Sequence, residues 1–189
     1  MKVVCAWCQK LLVDDTTGEA RISHGICEDC LRKMQGETAV SLVDFLNELD
    51  FPVLVTTHDW VVIEANRAAG KILGKPVTRL KQVRGGVAIE CYYAGLPEGC
   101  GKTPQCRGCA LRQNISDTYS DGQPRYGLYA QQQLMAGDAP RMAQFRFSTQ
   151  KVGEMVMLAI EEIKDLGSGP GLGGGDLPRD NPRQTEETA

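Results

Sequence analysis

The stretch Phe51–Gly74, "FPVLVTTHDWVVIEANRAAGKILG", changes character twice in twenty-four residues. "FPVLVTT" and "VVIEA" are short runs of β-branched and apolar residues, and "HDW" between them has turn chemistry, so the pair reads as a β-hairpin. The pattern then becomes helical. Asn66 stands where a helix N-cap belongs, and Gly74 lies just past the end, where a left-handed residue closes the last turn. A hairpin feeding a short helix is the first fixed point of the chain.

Working outward, "CALRQNISDTYSDG" has helical character through about Tyr119. Three β-like stretches follow, "RYGLYAQQQLM", "RMAQFRFSTQ" and "GEMVMLAIEEI", with turns at Asp121-Gly122, Gly137-Asp138 and Gln150 to Gly153. The order is two strands, helices, three strands. Upstream, Val40, Val43, Leu46 and Leu49 fall at near-helical spacing with Ser41 as cap. This predicts a short amphipathic helix whose apolar face packs on the adjoining domain or meets a second copy. From Gly167 the sequence is Gly, Pro and charge, with too little apolar material to offset the entropy of ordering, so a disordered tail is expected.

The 189 residues, 42% of them hydrophobic, suit one main core. A formal net charge of −3 gives no basic surface of the kind that binds nucleic acid. The N-terminus lacks a signal-peptide hydrophobic region and no stretch reaches 18 apolar residues, which predicts a cytoplasmic protein with no membrane partner. In a reducing compartment, eight cysteines are metal ligands or redox groups before they are structural disulfides.

Cys5 and Cys8 in "CAWC" and Cys27 and Cys30 in "CEDC" form two CxxC pairs with eighteen residues between them. That spacing suits a structural four-cysteine zinc site, in which each pair holds the ion from one side and no coordination position stays open for catalysis. A segment this short and polar would draw most of its folding free energy from the metal. A thioredoxin-type role for "CAWC" gives the second pair nothing to do. His24 in "SHGIC" is an alternative ligand, or a residue that supports one through a hydrogen bond. None of the CxxC pairs is followed by the His that covalent haem requires.

Cys91, Cys100, Cys106 and Cys109 are separated by eight, five and two residues in a glycine-rich segment. "GLPEGCGKT" within it resembles a phosphate-binding loop, but the first glycine of such a loop would fall at Leu96, and Gly95 comes one residue early. The segment therefore reads as a second metal site, with Lys102, Thr103 and Arg107 as its neighbours. Zinc and a [4Fe–4S] cluster both accept four thiolates; the zinc-like first quartet tilts the expectation toward zinc.

The hairpin with Asp59 in its turn, Asn66, the short helix closed by Gly74, and the three strands ending in "GEMVMLAIEEI" resemble a PAS domain, the sensory module of bacterial signalling proteins. The resemblance covers residues 41 to 164. It implies an α+β fold: a five-stranded antiparallel sheet with flanking helices, a concave face suited to a small-molecule ligand, and a homodimer formed through the preceding helix. The N-terminal segment is similar to short zinc modules that accompany bacterial sensors. The flavin-binding branch has an Asn-Cys-Arg signature that "QCRGC" does not reproduce, and His58, in the first turn, is expected at the surface rather than as a haem ligand.

The expected organisation is a zinc-binding module at 1–35, a linker with the amphipathic helix at 36–50, a PAS-like domain at 51–164 containing the cysteine-rich segment 91–109, and a tail at 165–189. The function this implies is that of a bacterial signalling protein, a PAS-type sensor or interaction module without enzymatic activity, acting through a homodimer or a signalling partner. The alternative is an iron–sulfur redox or electron-transfer protein using the internal quartet. No Ser-His-Asp set, paired carboxylates or nucleotide fingerprint points to an enzyme.

Overall fold

The computed structural model describes residues 1–14, 21–33, 41–137 and 139–167. Residues 168–189 of the expected tail lie outside these, as do Val40 and Asp138. Three four-residue strands open the chain: β1 (Lys2–Cys5), β2 (Leu11–Asp14) and β3 (Ile22–Gly25), followed by the helix α1 (Glu28–Arg32). The sheet order is β2-β1-β3, with β1 antiparallel to β2 and parallel to β3. Between β1 and β2 the chain reverses through Gln9 at φ 60, and the Gln9 N–H donates to the Cys5 carbonyl. This knuckle carries the first CxxC pair.

Ser41 caps α2 (Leu42–Asn47), its hydroxyl accepting from the Asp44 N–H at 3.1 Å. The buried face is Phe45, Leu46 and Leu49; Val43, expected to share it, is exposed. In a helix of under two turns the bulkiest apolar residue sets the rotation, and that residue is Phe45. Its ring lies 4.1 Å from that of Trp7 in the knuckle. The apolar face of α2 thus packs inside the chain, against the N-terminal cysteines and the outer face of the main sheet.

The main sheet is built from β4 (Val53–Thr56), β5 (Val61–Ala65), β6 (Val83–Arg84), β7 (Arg125–Ala136), β8 (Ala139–Val152) and β9 (Met155–Gly167), in the order β6-β5-β4-β9-β8-β7. β4, β5, β7, β8 and β9 are antiparallel throughout, and two-residue β6 adds a sixth strand at the edge. The last strand runs to Gly167, three residues past the expected boundary. Helices α3 (Arg67–Ile72), α4 (Gly85–Ala88) and α5 (Ala110–Asp121) lie on the concave side, where Leu111 and Ile115 pack with Leu54, Phe145, Phe147 and Leu158.

Two local devices fix this arrangement. Buried Asn66 caps α3 by accepting from the Ala69 N–H at 2.9 Å. The same oxygen accepts from the Val53 N–H at 3.0 Å, while its amide nitrogen donates to the carbonyls of Leu46 (3.0 Å) and Phe51 (2.8 Å). One side chain therefore ties α2, β4 and α3 together. At Gly85, a Cβ would stand 1.9 Å from the ring of buried Trp60, so only glycine lets the indole lie on the backbone there.

On β9 the register shifts, Arg146 pairing with Glu162 and Phe147 with Ile160, so Glu161 is an extra, unpaired residue. Such a bulge re-aims a side chain. Here it turns the Glu161 carboxylate toward the N-terminal module.

Candidate metal centre

Cys5 ends β1, Cys8 lies in the knuckle, Cys27 is the N-cap residue of α1, and Cys30 lies within that helix. The four sulfurs all lie within 4.8 Å of one another, and Cys8 Sγ is 3.7 Å from Cys27 Sγ. Zinc–sulfur bonds of about 2.3 Å at tetrahedral angles separate ligand sulfurs by about 3.8 Å, so this group fits a single tetrahedral ion. Cys5, Cys27 and Cys30 are buried, and Cys8 closes the site from the solvent side.

Burial opposes ionisation of Cys5. Yet N–H groups of Cys27, Cys8 and Trp7, the first at 3.4 Å, bring its thiol down to about 7. Cys30 goes the other way, pushed up by burial and by hydrogen bonds with the other three cysteines. Four sulfurs this close do not all ionise without a cation; a metal ion bound here would displace the shared protons.

His24 is not among the gathered ligands. Its ring stacks on Phe51 with centroids 4.6 Å apart. Burial lowers its pKa from 6.5, the Glu161 charge opposing and the Arg146 charge adding to that shift. Below pH 6.5 the unfolded chain therefore takes up a proton that the folded ring resists, and stability falls as pH drops from there through the lower folded value. Urea unfolding at about pH 7.5 and about pH 5.5 should show this loss, and His24→Gln should remove part of it. An equal loss in the variant would contradict the assignment.

The internal cysteines occupy turns on the concave side. Cys91 precedes a 3-10 turn at Tyr92–Gly95, Cys106 lies in another at Pro104–Gly108, and Cys109 is the N-cap residue of α5. The fold brings all four into one region without closing them to single-ion distance. Among the described residues only the N-terminal four meet within 4.8 Å. Gln132 of β7 lies between two of the others: Cys91 Sγ is 3.9 Å from its carbonyl oxygen, and its amide donates toward Cys109 Sγ at 3.6 Å.

Burial raises the thiols of Cys91 and Cys100, and that of Cys109 to about 11. Cys106 is less buried and its pKa falls, because the Thr103 hydroxyl at 3.1 Å and the Gly101 N–H at 3.2 Å outweigh the desolvation. Thr103 is buried against that sulfur while Lys102 and Arg107 are exposed, so the Gly-Lys-Thr triplet serves a cysteine. The charges beside the sulfurs are instead Arg84 and Arg112, positioned by Asp59 at 3.0 and 3.3 Å. These arginines and Gln132 carry no local sequence signal; only the fold brings them here. Exposed His58 lies near Tyr119, with ring centroids 5.1 Å apart.

The first hairpin and the final three-stranded meander meet through β4 and β9, giving the order β5-β4-β9-β8-β7 with the helices between them on the concave side. The chain has a PAS-like fold. No family model matches the PAS-like chain, and no curated protein does. Solved structures similar to it include the PAS domain of a Desulfitobacterium hafniense protein (18% identity, 65% of this chain and 99% of that one, TM-score 0.38). Others are the photoactive yellow protein domain of a Rhodospirillum centenum sensor histidine kinase (12%, 70% and 99%, 0.42) and the PAS domain of a Vibrio parahaemolyticus nitrogen regulation protein (13%, 65% and 99%, 0.40). Among the described residues no helix is long and apolar enough to cross a membrane.

Proposed function

We propose that this chain is a signalling protein: a PAS-type sensor or interaction module with zinc in its N-terminal quartet, a second metal site in its internal quartet, and output through dimer or partner contacts. The observation that carries the reading is the joint between the first quartet and the sheet. Ser23 of β3 donates to Glu161 and shares a hydrogen bond of 3.0 Å with Ser148. Arg146 completes the group, 2.8 Å from the same carboxylate, with both side chains buried. Two residues beyond Ser148, Gln150 holds the N–H and the carbonyl of Ile26, next to Cys27.

A buried ion pair with hydrogen-bonded flanks tolerates little displacement, because an orphaned buried charge costs about 3–5 kcal/mol. A change at the metal would therefore be felt in β8 and β9. Hydrogen exchange of the intact chain, with metal bound and after chelation, tests this. Faster exchange in β8 and β9 around Ser148–Gln150 and Glu161 is expected; changes confined to residues 1–33 would contradict transmission.

A further inference from the structure

The nineteen residues from Cys91 to Cys109 form 3-10 turns and bends, and Thr103 is the one buried residue among them. Ordering backbone costs roughly 1–2 kcal/mol per residue, and so little burial does not supply it. Besides Thr103, three of its sulfurs turn inward. Cys91, Cys100 and Cys109 all pack against the main core. Every one of the six pairs among the four thiols interacts electrostatically.

The Gly101 N–H donates to Cys106 Sγ at 3.2 Å, and the N–H groups of Tyr93 and Ala94 at Cys91, of Gly86 at Cys100 and of Arg112 at Cys109 offset part of the rise that burial gives those thiols. Amides aimed at sulfur favour thiolate over thiol, and such hydrogen bonds tune iron–sulfur centres. Gly86 takes part in a second way, since a Cβ there would lie 2.7 Å from Cys100 Sγ. The guanidinium groups of Arg84 and Arg112 add positive charge beside Cys100 and Cys106.

Spacing distinguishes the two quartets. The N-terminal sulfurs stand at single-ion distance; of the internal four, no three lie within 4.8 Å of one another, although each is near enough to the others to feel their charge. A four-iron cluster places an iron and sulfide framework between its ligands, so its cysteines stand farther apart than those round one zinc ion. We infer that Cys91, Cys100, Cys106 and Cys109 hold a [4Fe–4S] cluster rather than a second zinc. This rests on the reading of the internal quartet as a metal site and names its occupant.

The test is metal analysis of the full chain, produced and kept without oxygen, with iron, sulfide and zinc supplied. The expected result is about one zinc with about four iron and four sulfide per chain, and broad visible absorbance. Cys106→Ser with Cys109→Ser should lose iron and colour and keep zinc; Cys27→Ser with Cys30→Ser should do the reverse. Two zinc ions without iron would overturn the cluster and leave the second metal site standing. One zinc without iron, and no change in metal content in the Cys106/Cys109 variant, would overturn both.

Discussion

Replacing Cys27 and Cys30 by serine is expected to unfold the N-terminal strands and α1 while the main sheet remains folded. The module's strands are four residues long, and few of its apolar side chains besides Val3 and Ile26 are fully covered. Structural zinc in such a setting contributes on the order of 10 kcal/mol, far more than this burial supplies. Serine oxygen does not replace a thiolate pair in the metal's first sphere. The loss should extend to α2, whose Phe45 rests on Trp7. Amide exchange across the module, read beside zinc content, checks it: protection should vanish from β1–β3 and α1, weaken in β8 and β9 around Ser148–Gln150 and Glu161, and persist in the rest of the main sheet. A module that stays protected without metal would show that packing, and not the ion, holds it.

Asn66→Ala is expected to lower stability by about 4 kcal/mol, since it strands the Val53 and Ala69 N–H groups and the Phe51 carbonyl at roughly 1–3 kcal/mol each before relaxation, while the Leu46 carbonyl keeps the Leu49 N–H. For a domain of this size that corresponds to a fall in Tm of about 8–16 °C. Asn66→Asp keeps the acceptor for Ala69 and Val53 but faces two carbonyls with a carboxylate, so it should not restore the loss. Urea and thermal unfolding measure both. A loss below about 1 kcal/mol for the alanine variant would mean that water replaces the amide.

The parts of this fold legible in the sequence are those fixed by local chemistry. Asn66 and Ser41 cap because their side chains reach N–H groups three residues on, and Gly74 at φ 62 closes α3 as its position implied. The strands of the final meander follow from apolar and aromatic residues interleaved with polar ones and bounded by turn chemistry. Three features were not legible. The N-terminal strands are too short for a period, the face of α2 was set by Phe45 rather than Val43, and the Arg84–Asp59–Arg112 group assembles from three distant segments. The N-terminal quartet was readable because CxxC spacing is itself metal geometry. The internal quartet's spacing shows only which cysteines belong together, since glycine-rich turns leave the distances between their sulfurs open.

The extra residue at Glu161 also inverts the alternation of the last strand. Before it, Val156, Leu158 and Ile160 point to the concave core; after it, Ile163 does. Length and parity are thus linked: with Glu161 deleted, Ile160 and Ile163 would stand two residues apart, as in a regular strand, and both would keep the core face. In any descendant of this sequence, one deletion there would straighten β9 with its apolar pattern intact and take away the carboxylate at the joint, whereas the same deletion elsewhere in the strand would exchange its two faces.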